Sequence, residues 1–225
     1  MSAVIEVHHL HKKYGDIVAV DDMSFTVEEG EIFGIVGPEG AGKTTALECI
    51  KGLRNRDRGE IRVLGRDPHT QRAEITRRLD EQLRSSRGAD DRTRIAEALS
   101  LYSSFYRDPA DWRRLMGCLG LTDKTGLVSQ EERLSVALTR AGNPQVAVFD
   151  ELTTGLDPQD RNATWELIET VRDSGVTILL TTPDMAEAER LCDRITLIDP
   201  PRIRPCPLPG QPVPAEWAAR TPRSG

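Results

Sequence analysis

Two short stretches hold residues whose types and spacing fit phosphate chemistry. The first is Gly37-Pro38-Glu39-Gly40-Ala41-Gly42-Lys43-Thr44, a GxxxxGK[ST] pattern followed by Thr45. Glycines let backbone N–H groups approach phosphate oxygens closely, and a helix beginning at the lysine adds a dipole that favours an anion. Lys43 is suited to the outer phosphates and the Thr44 hydroxyl to Mg²⁺. The second stretch is Val146-Ala147-Val148-Phe149-Asp150-Glu151, an apolar run ending in two carboxylates. Asp150 is suited to hold Mg²⁺, and Glu151 to polarise an attacking water as general base. Many strands end in an aspartate, so this pair gains its meaning from the phosphate loop upstream in the same chain.

The surrounding elements are those needed to position such groups. Ile32 to Val36 is a short apolar strand before the loop, and a helix pattern runs from Lys43 to about Lys51, stopped by Gly52. Val146 to Phe149 and Val176 to Leu180 read as strands buried on both faces of a parallel sheet, with a helix from Gln159 to Arg172 between them. Ile195 to Ile198 is a last apolar strand. Nearer the start, Val4 to Val7 alternates like a strand, Asp16 to Val27 is a second strand region with a turn at Asp21-Asp22, and Glu60 to Leu64 is another. The pattern is helical from about Ala73 to Leu121, and again from about Glu131 to Ala141. Eight of the fourteen prolines lie in Pro200 to Gly225, so this tail is expected to be extended or disordered.

Composition excludes several classes. Among 225 residues, 36 acidic against 30 basic side chains give a net charge of −6, which argues against broad nucleic-acid binding. No apolar run is long enough to span a bilayer, and Met1 to Leu10 has no signal-peptide core, so a cytoplasmic location is expected. Cys49, Cys118, Cys192 and Cys206 are scattered, which suggests ordinary thiols rather than a zinc site or disulfide frame. His8, His9, His11 and His69 lack partners for a metal site, and no histidine follows position 69.

With these pieces in hand, the chain resembles the ATPase subunits of ABC transporters, and among them the soluble subunits of bacterial drug-export systems with a separate permease. The matching pieces are Lys13-Tyr14-Gly15, the phosphate loop, Gly59-Glu60-Ile61, Asp150-Glu151, Thr154-Gly155-Leu156-Asp157 and the segment Glu187 to Ile195. The resemblance implies an α/β fold: a P-loop NTPase core with a mixed, mainly parallel sheet, an antiparallel β subdomain and a helical subdomain. It implies one nucleotide-binding domain over residues 1–199, with the helical subdomain inserted at about 83–138. The cofactors it implies are ATP and Mg²⁺. Tyr14 would stack on adenine, although a half-buried strand tyrosine is the ordinary alternative. Gln130, in the signature segment, and Asp157 would lie at the interface of two ATPase domains. The helical subdomain would dock on an integral membrane permease, placing the chain on the inner face of the cell membrane.

Measured against the family, three elements differ. The signature, usually LSGGQ, reads Gly126-Leu127-Val128-Ser129-Gln130, followed by Glu131 and Glu132. Leu127 stands where a serine would bond the γ-phosphate. Pro183 stands at the switch-histidine position, and Arg84, after Gln82, stands where a glutamine is expected. Two readings follow. One is an energy-coupling ATPase of an exporter, slowed by these changes. The other is a degenerate or regulatory subunit that binds ATP with little hydrolysis. The absence of a second cassette, a long coiled coil and a basic stripe counts against an ABC-type ATPase acting on DNA or ribosomes, and the absence of an NKxD motif counts against a GTPase.

Overall fold

The structure is a computed structural model and describes residues 2–76, 78–81, 103, 110, 111, 113, 117, 142–199 and 202–205. Two sheets carry the described chain. β1 (Ala3–Tyr14), β2 (Ile17–Glu28) and β4 (Arg58–Val63) form an antiparallel sheet in the order β2-β1-β4. The two-residue turn between β1 and β2 uses Gly15 at φ 56°, a left-handed conformation that costs glycine little.

The second sheet has six strands in the order β5-β6-β7-β3-β8-β9. Its members are β3 (Ile32–Val36), β5 (Leu79–Glu81), β6 (Val146–Asp150), β7 (Thr177–Thr182), β8 (Arg194–Asp199) and β9 (Arg202–Pro205). All neighbours are parallel except β8 and β9. Each central strand feeds two cores because its side chains alternate between faces. Phe33 and Ile35 of β3 point, with Val146 and Val148, into the core shared with the antiparallel sheet and helix α1 (Lys43–Ile50). Ile32 and Val36, with Ala147 and Phe149, point into the opposite core. There they meet helix α3 (Pro158–Asp173), through Ile168 and Val171, and helix α4 (Met185–Leu191), through Ala188 and Leu191. Burial on both faces explains why β3 and β7 are wholly buried along their lengths.

Gly34 is fixed by this packing. A Cβ there would lie 2.7 Å from Cys192 Sγ, so the close approach of α4's end to β3 requires the missing side chain. The two helices on that face have explicit starts. Asp157 caps α3 by accepting from the Gln159 and Asp160 N–H groups, with Pro158 at the first helical position, and Asp184 caps α4 by accepting from Ala186 N–H.

Several expectations change. The helical pattern from Ala73 is broken early: a single turn, α2 (Arg72–Ile75), gives way to β5, whose Leu79 to Glu81 run parallel to Val146 to Val148. Three paired residues leave no periodicity to read; the Arg78 carbonyl, accepting from Gln145 and Val146, sets this edge. No turn interrupts the chain at Asp21-Asp22. β2 runs through, and the local irregularity is absorbed by a register shift and by Asp22 at φ 54°. The proline-rich tail begins with an ordered strand, since β9 pairs antiparallel with β8 at the sheet edge, where a proline at the strand end is tolerated. The proposed helical subdomain, with Gln82, Arg84 and the signature segment Gly126 to Glu132, lies outside the described residues apart from isolated positions. Among the described residues, no helix is long and apolar enough to cross a membrane.

Candidate functional site

The parallel register places the carboxyl ends of β3, β6 and β7 side by side, with Val36 opposite Thr182 and Asp150 opposite Thr181. The chain leaves β3 for α1 on one face of the sheet and leaves β6 for α3 on the other. This divergence opens a crevice above the end of β7, the usual place for a ligand in an open α/β sheet.

The loop from Gly37 to Gly42 is moulded by its neighbours. Gly37 donates its N–H to the Thr182 carbonyl at 3.2 Å. A Cβ on Gly37 would lie 2.4 Å from the Ile198 carbonyl oxygen, and one on Gly42 only 2.0 Å from that of Ala19. Gly42 also sits at φ 96°. Pro38, Glu39 and Gly40 are exposed, whereas Ala41 is buried and its N–H is held by the Pro38 carbonyl at 3.2 Å. Helix α1 then begins without a side-chain cap and without an acidic residue in its first turn. Its first N–H groups therefore face the loop without a competing carboxylate from their own helix, which favours an incoming anion.

Lys43 is 3% exposed, and its ammonium is held by the Gly37 and Pro38 carbonyls, both at 2.8 Å. Its third partner is the Glu151 carboxylate at 3.0 Å. Thr44, one residue on, points its hydroxyl at Asp150, 3.1 Å from Oδ2 and 3.4 Å from Oδ1. Thus the two stretches singled out above, more than a hundred residues apart in sequence, meet through two specific contacts. Thr45 is half-buried on the same first turn of α1.

The remaining candidates lie around this centre. Tyr14 ends β1 at the hairpin tip and is 40% exposed, with Arg54 and Lys12 cations 5.1 and 5.5 Å from its ring centre. The same hairpin reaches the loop through Ala19. Asp157 is exposed on the surface and serves as the cap of α3. Gln130 lies outside the described residues. Pro183 is exposed and directly follows Thr182, the residue whose carbonyl accepts from Gly37.

Three residues make contacts that escape a reading of spacing alone. Thr181 donates its hydroxyl to Asp150 Oδ1 at 2.6 Å and accepts from the Glu151 N–H at 3.1 Å. Glu187, 4% exposed, accepts from the Thr153 hydroxyl at 2.5 Å and the Trp165 indole N–H at 2.9 Å. Arg161 pairs with Asp184 at 2.9 Å. The one hint in the sequence is the Thr181-Thr182 pair, two hydroxyls closing an otherwise apolar strand.

The family described as ABC transporter matches residues 20–154. The chain is 37% identical over 209 residues to the Nod factor export ATP-binding protein I of Ralstonia nicotianae, covering 87% of this chain and 64% of that protein. It is 38% identical over 208 residues to the protein of the same name from Burkholderia thailandensis, covering 88% and 68%. The chain therefore spans about two thirds of the length of these relatives. Among solved structures, cbiO1 from Clostridium perfringens, part of the ABC transporter complex cbiONQ, superposes with a TM-score of 0.78 at 21% identity, covering 98% of this chain and 92% of that one. An ATP-binding cassette of an ABC transporter in its ADP conformation gives 0.75 at 18% identity, covering 91% and 90%. These two likenesses establish the fold. The family match and the sequence relatives show that the chain belongs to the ABC transporter ATP-binding family.

Proposed function

We propose that this chain is the ATP-binding and ATP-hydrolysing subunit of an ABC exporter, energising a separate membrane permease as one of a pair of ATPase domains. The observation that carries this reading is the joining of the phosphate loop to the acidic pair: Thr44 to Asp150 at 3.1 Å and Lys43 to Glu151 at 3.0 Å. The loop glycines, the uncapped start of α1 and the buried ammonium form a cradle for the phosphates of ATP. The hydroxyl of Thr44 and the carboxylate of Asp150 are hard oxygen donors, the type Mg²⁺ prefers. When bound there, Mg²⁺ would neutralise charge on the outer phosphates. Lys43 is held where it can trade the Glu151 carboxylate for a phosphate oxygen. Glu151, so released, is the group that accepts a proton from water. Tyr14 offers its exposed ring to the adenine. Gln130 and Asp157 belong to the face that meets the second ATPase domain.

Export is the direction favoured by the relatives, both named as export ATP-binding proteins. The segment about 83–138, whose sequence pattern is helical, is the part assigned to docking on the permease, which would hold the chain at the inner face of the membrane. One observation favours a slow or regulatory variant of this reading: Pro183, beside the loop, offers no side-chain donor to a γ-phosphate.

The test is steady-state ATPase activity of the purified chain with Glu151→Gln as control. Loss of the general base should lower turnover by about 10²- to 10⁴-fold. Glutamine keeps an acceptor for Lys43, so the fold should hold. Tight ATP binding with no wild-type turnover would favour the regulatory reading, and turnover indifferent to Glu151→Gln would overturn the catalytic assignment.

A further inference from the structure

The central strand β7 ends beneath the crevice, between the strand that carries the phosphate loop and the strand that carries the acidic pair. Its Thr181 is 1% exposed and cannot meet substrate directly. Its hydroxyl nevertheless touches both members of the acidic pair. It donates to Asp150 Oδ1 at 2.6 Å, and its oxygen accepts from the Glu151 N–H at 3.1 Å. The Glu151 N–H is shared with the Thr181 carbonyl, also at 3.1 Å.

Both oxygens of Asp150 lie within reach of the Thr44 hydroxyl, at 3.4 Å for Oδ1 and 3.1 Å for Oδ2, but only Oδ1 also receives the Thr181 hydroxyl. Oδ1 is tied down to the sheet by Thr181, while Oδ2 is the nearer one to Thr44. A carboxylate with one oxygen anchored has little rotational freedom left, so its other oxygen is aimed before any ligand arrives. The same hydroxyl helps hold Glu151, which is at φ 51°, a conformation uncommon for a residue with a side chain. One buried hydroxyl therefore fixes the direction of the metal-side carboxylate and the turn from which the general base projects.

We infer that Thr181 is the positioning residue of the acidic pair: its hydroxyl orients Asp150 toward the cation shared with Thr44 and sets the backbone from which Glu151 reaches the water. This inference rests on the reading of Thr44 and Asp150 as the Mg²⁺-holding pair. Groups that orient a metal ligand typically contribute 10- to 100-fold in metal affinity.

Two variants separate positioning from packing. Thr181→Val keeps the shape and loses the hydroxyl, and Thr181→Ser keeps the hydroxyl and loses the methyl. The readout is binding of a non-hydrolysable fluorescent ATP analogue by the full chain, titrated with Mg²⁺ and repeated in EDTA, alongside thermal melting and ATP turnover. In Thr181→Val the Mg²⁺ concentration for half-maximal enhancement of binding should rise by about 10- to 100-fold, with affinity in EDTA unchanged. Turnover should fall in kcat more than in KM. Thr181→Ser should restore both. The opposite order, serine impaired and valine normal, would show that Thr181 merely fills space and would overturn the inference. So would a valine variant with a wild-type Mg²⁺ profile. A wild-type chain whose nucleotide affinity ignores Mg²⁺ would instead overturn the underlying metal reading. If valine prevents folding, the serine variant alone decides: a wild-type Mg²⁺ profile supports positioning, and a shifted one refutes it.

Discussion

Glu187 is a buried polar residue whose removal should destabilise the fold away from the nucleotide. It lies on α4, 4% exposed, and one of its oxygens, Oε1, receives both the Thr153 hydroxyl at 2.5 Å and the Trp165 indole N–H at 2.9 Å. Those donors come from the loop after β6 and from α3, so one carboxylate ties three segments together. Replacing it by alanine leaves two donors without a partner in a closed site. Each orphaned buried donor costs about 1–3 kcal/mol, and partial entry of water into the space softens this, giving about 2–4 kcal/mol in total. For a chain of this size 1 kcal/mol corresponds to about 2–4 °C in Tm, so Glu187→Ala should melt on the order of 10 °C lower. Glu187→Gln makes the sharper comparison. Both bonds converge on a single oxygen, which the glutamine carbonyl can replace, and the substitution also removes the need to bury a charge. The glutamine variant should therefore stay within about 1 kcal/mol of the parent. The assay is thermal melting by circular dichroism with urea titration as a check. An alanine variant melting with the parent, or a glutamine variant as unstable as alanine, would refute the reasoning, since it would mean the two donors have other partners or that charge itself is needed.

Other perturbations test separate parts of the molecule. Gly42→Ala forces a Cβ to within 2.0 Å of the Ala19 carbonyl at φ 96°, whereas Gly40→Ala at φ 77° meets nothing within 4 Å; the first should abolish measurable ATP binding, while the second should cost only about 1 kcal/mol of backbone strain, as read by calorimetry and melting. Asp67 is held at about 2 by the Arg56 guanidinium, which reaches its two oxygens at 3.1 and 2.6 Å. Because the folded value lies below the unfolded value of 3.8, the stabilisation is present above pH about 4 and is lost as pH falls through about 2. Discounted for solvent screening it is worth about 1 kcal/mol, and Asp67→Asn should remove that part of the acid dependence in urea titrations between these limits. Pro183→His should raise turnover by about tenfold or more if a missing γ-phosphate donor limits hydrolysis; an unchanged steady-state rate would place the limit elsewhere.

The phosphate loop and the acidic pair were legible in the sequence because backbone demands leave a written trace. Gly37 and Gly42 are glycines since Ile198 and Ala19 crowd them, and the apolar run before Asp150 is apolar because β6 is covered on both faces. The buried strands β3, β6 and β7 could be read for the same reason. What could not be read depends on distant partners. β5 is a strand only because β6 lies beside it, and Asp22 is no turn because β1 continues past it. Thr181 and Glu187 look ordinary in sequence; their importance comes from register and from helix placement, which bring Asp150 and Trp165 within reach.

The loop around Pro183 keeps its shape through contacts that do not use that side chain. The backbone on either side is already satisfied: the Thr182 carbonyl accepts from Gly37, and the Asp184 N–H is taken by the Thr182 hydroxyl at 3.0 Å. Residue 183 is exposed, so the amide hydrogen that proline lacks is one that solvent would otherwise meet. Asp184 then caps α4 and pairs with Arg161, locking the segment to the start of α3. The loop after β7 is therefore held by its neighbours and is indifferent to the side chain at 183. A proline there perturbs only chemistry that would have used that side chain, which is why its effect belongs in turnover measurements and not in stability.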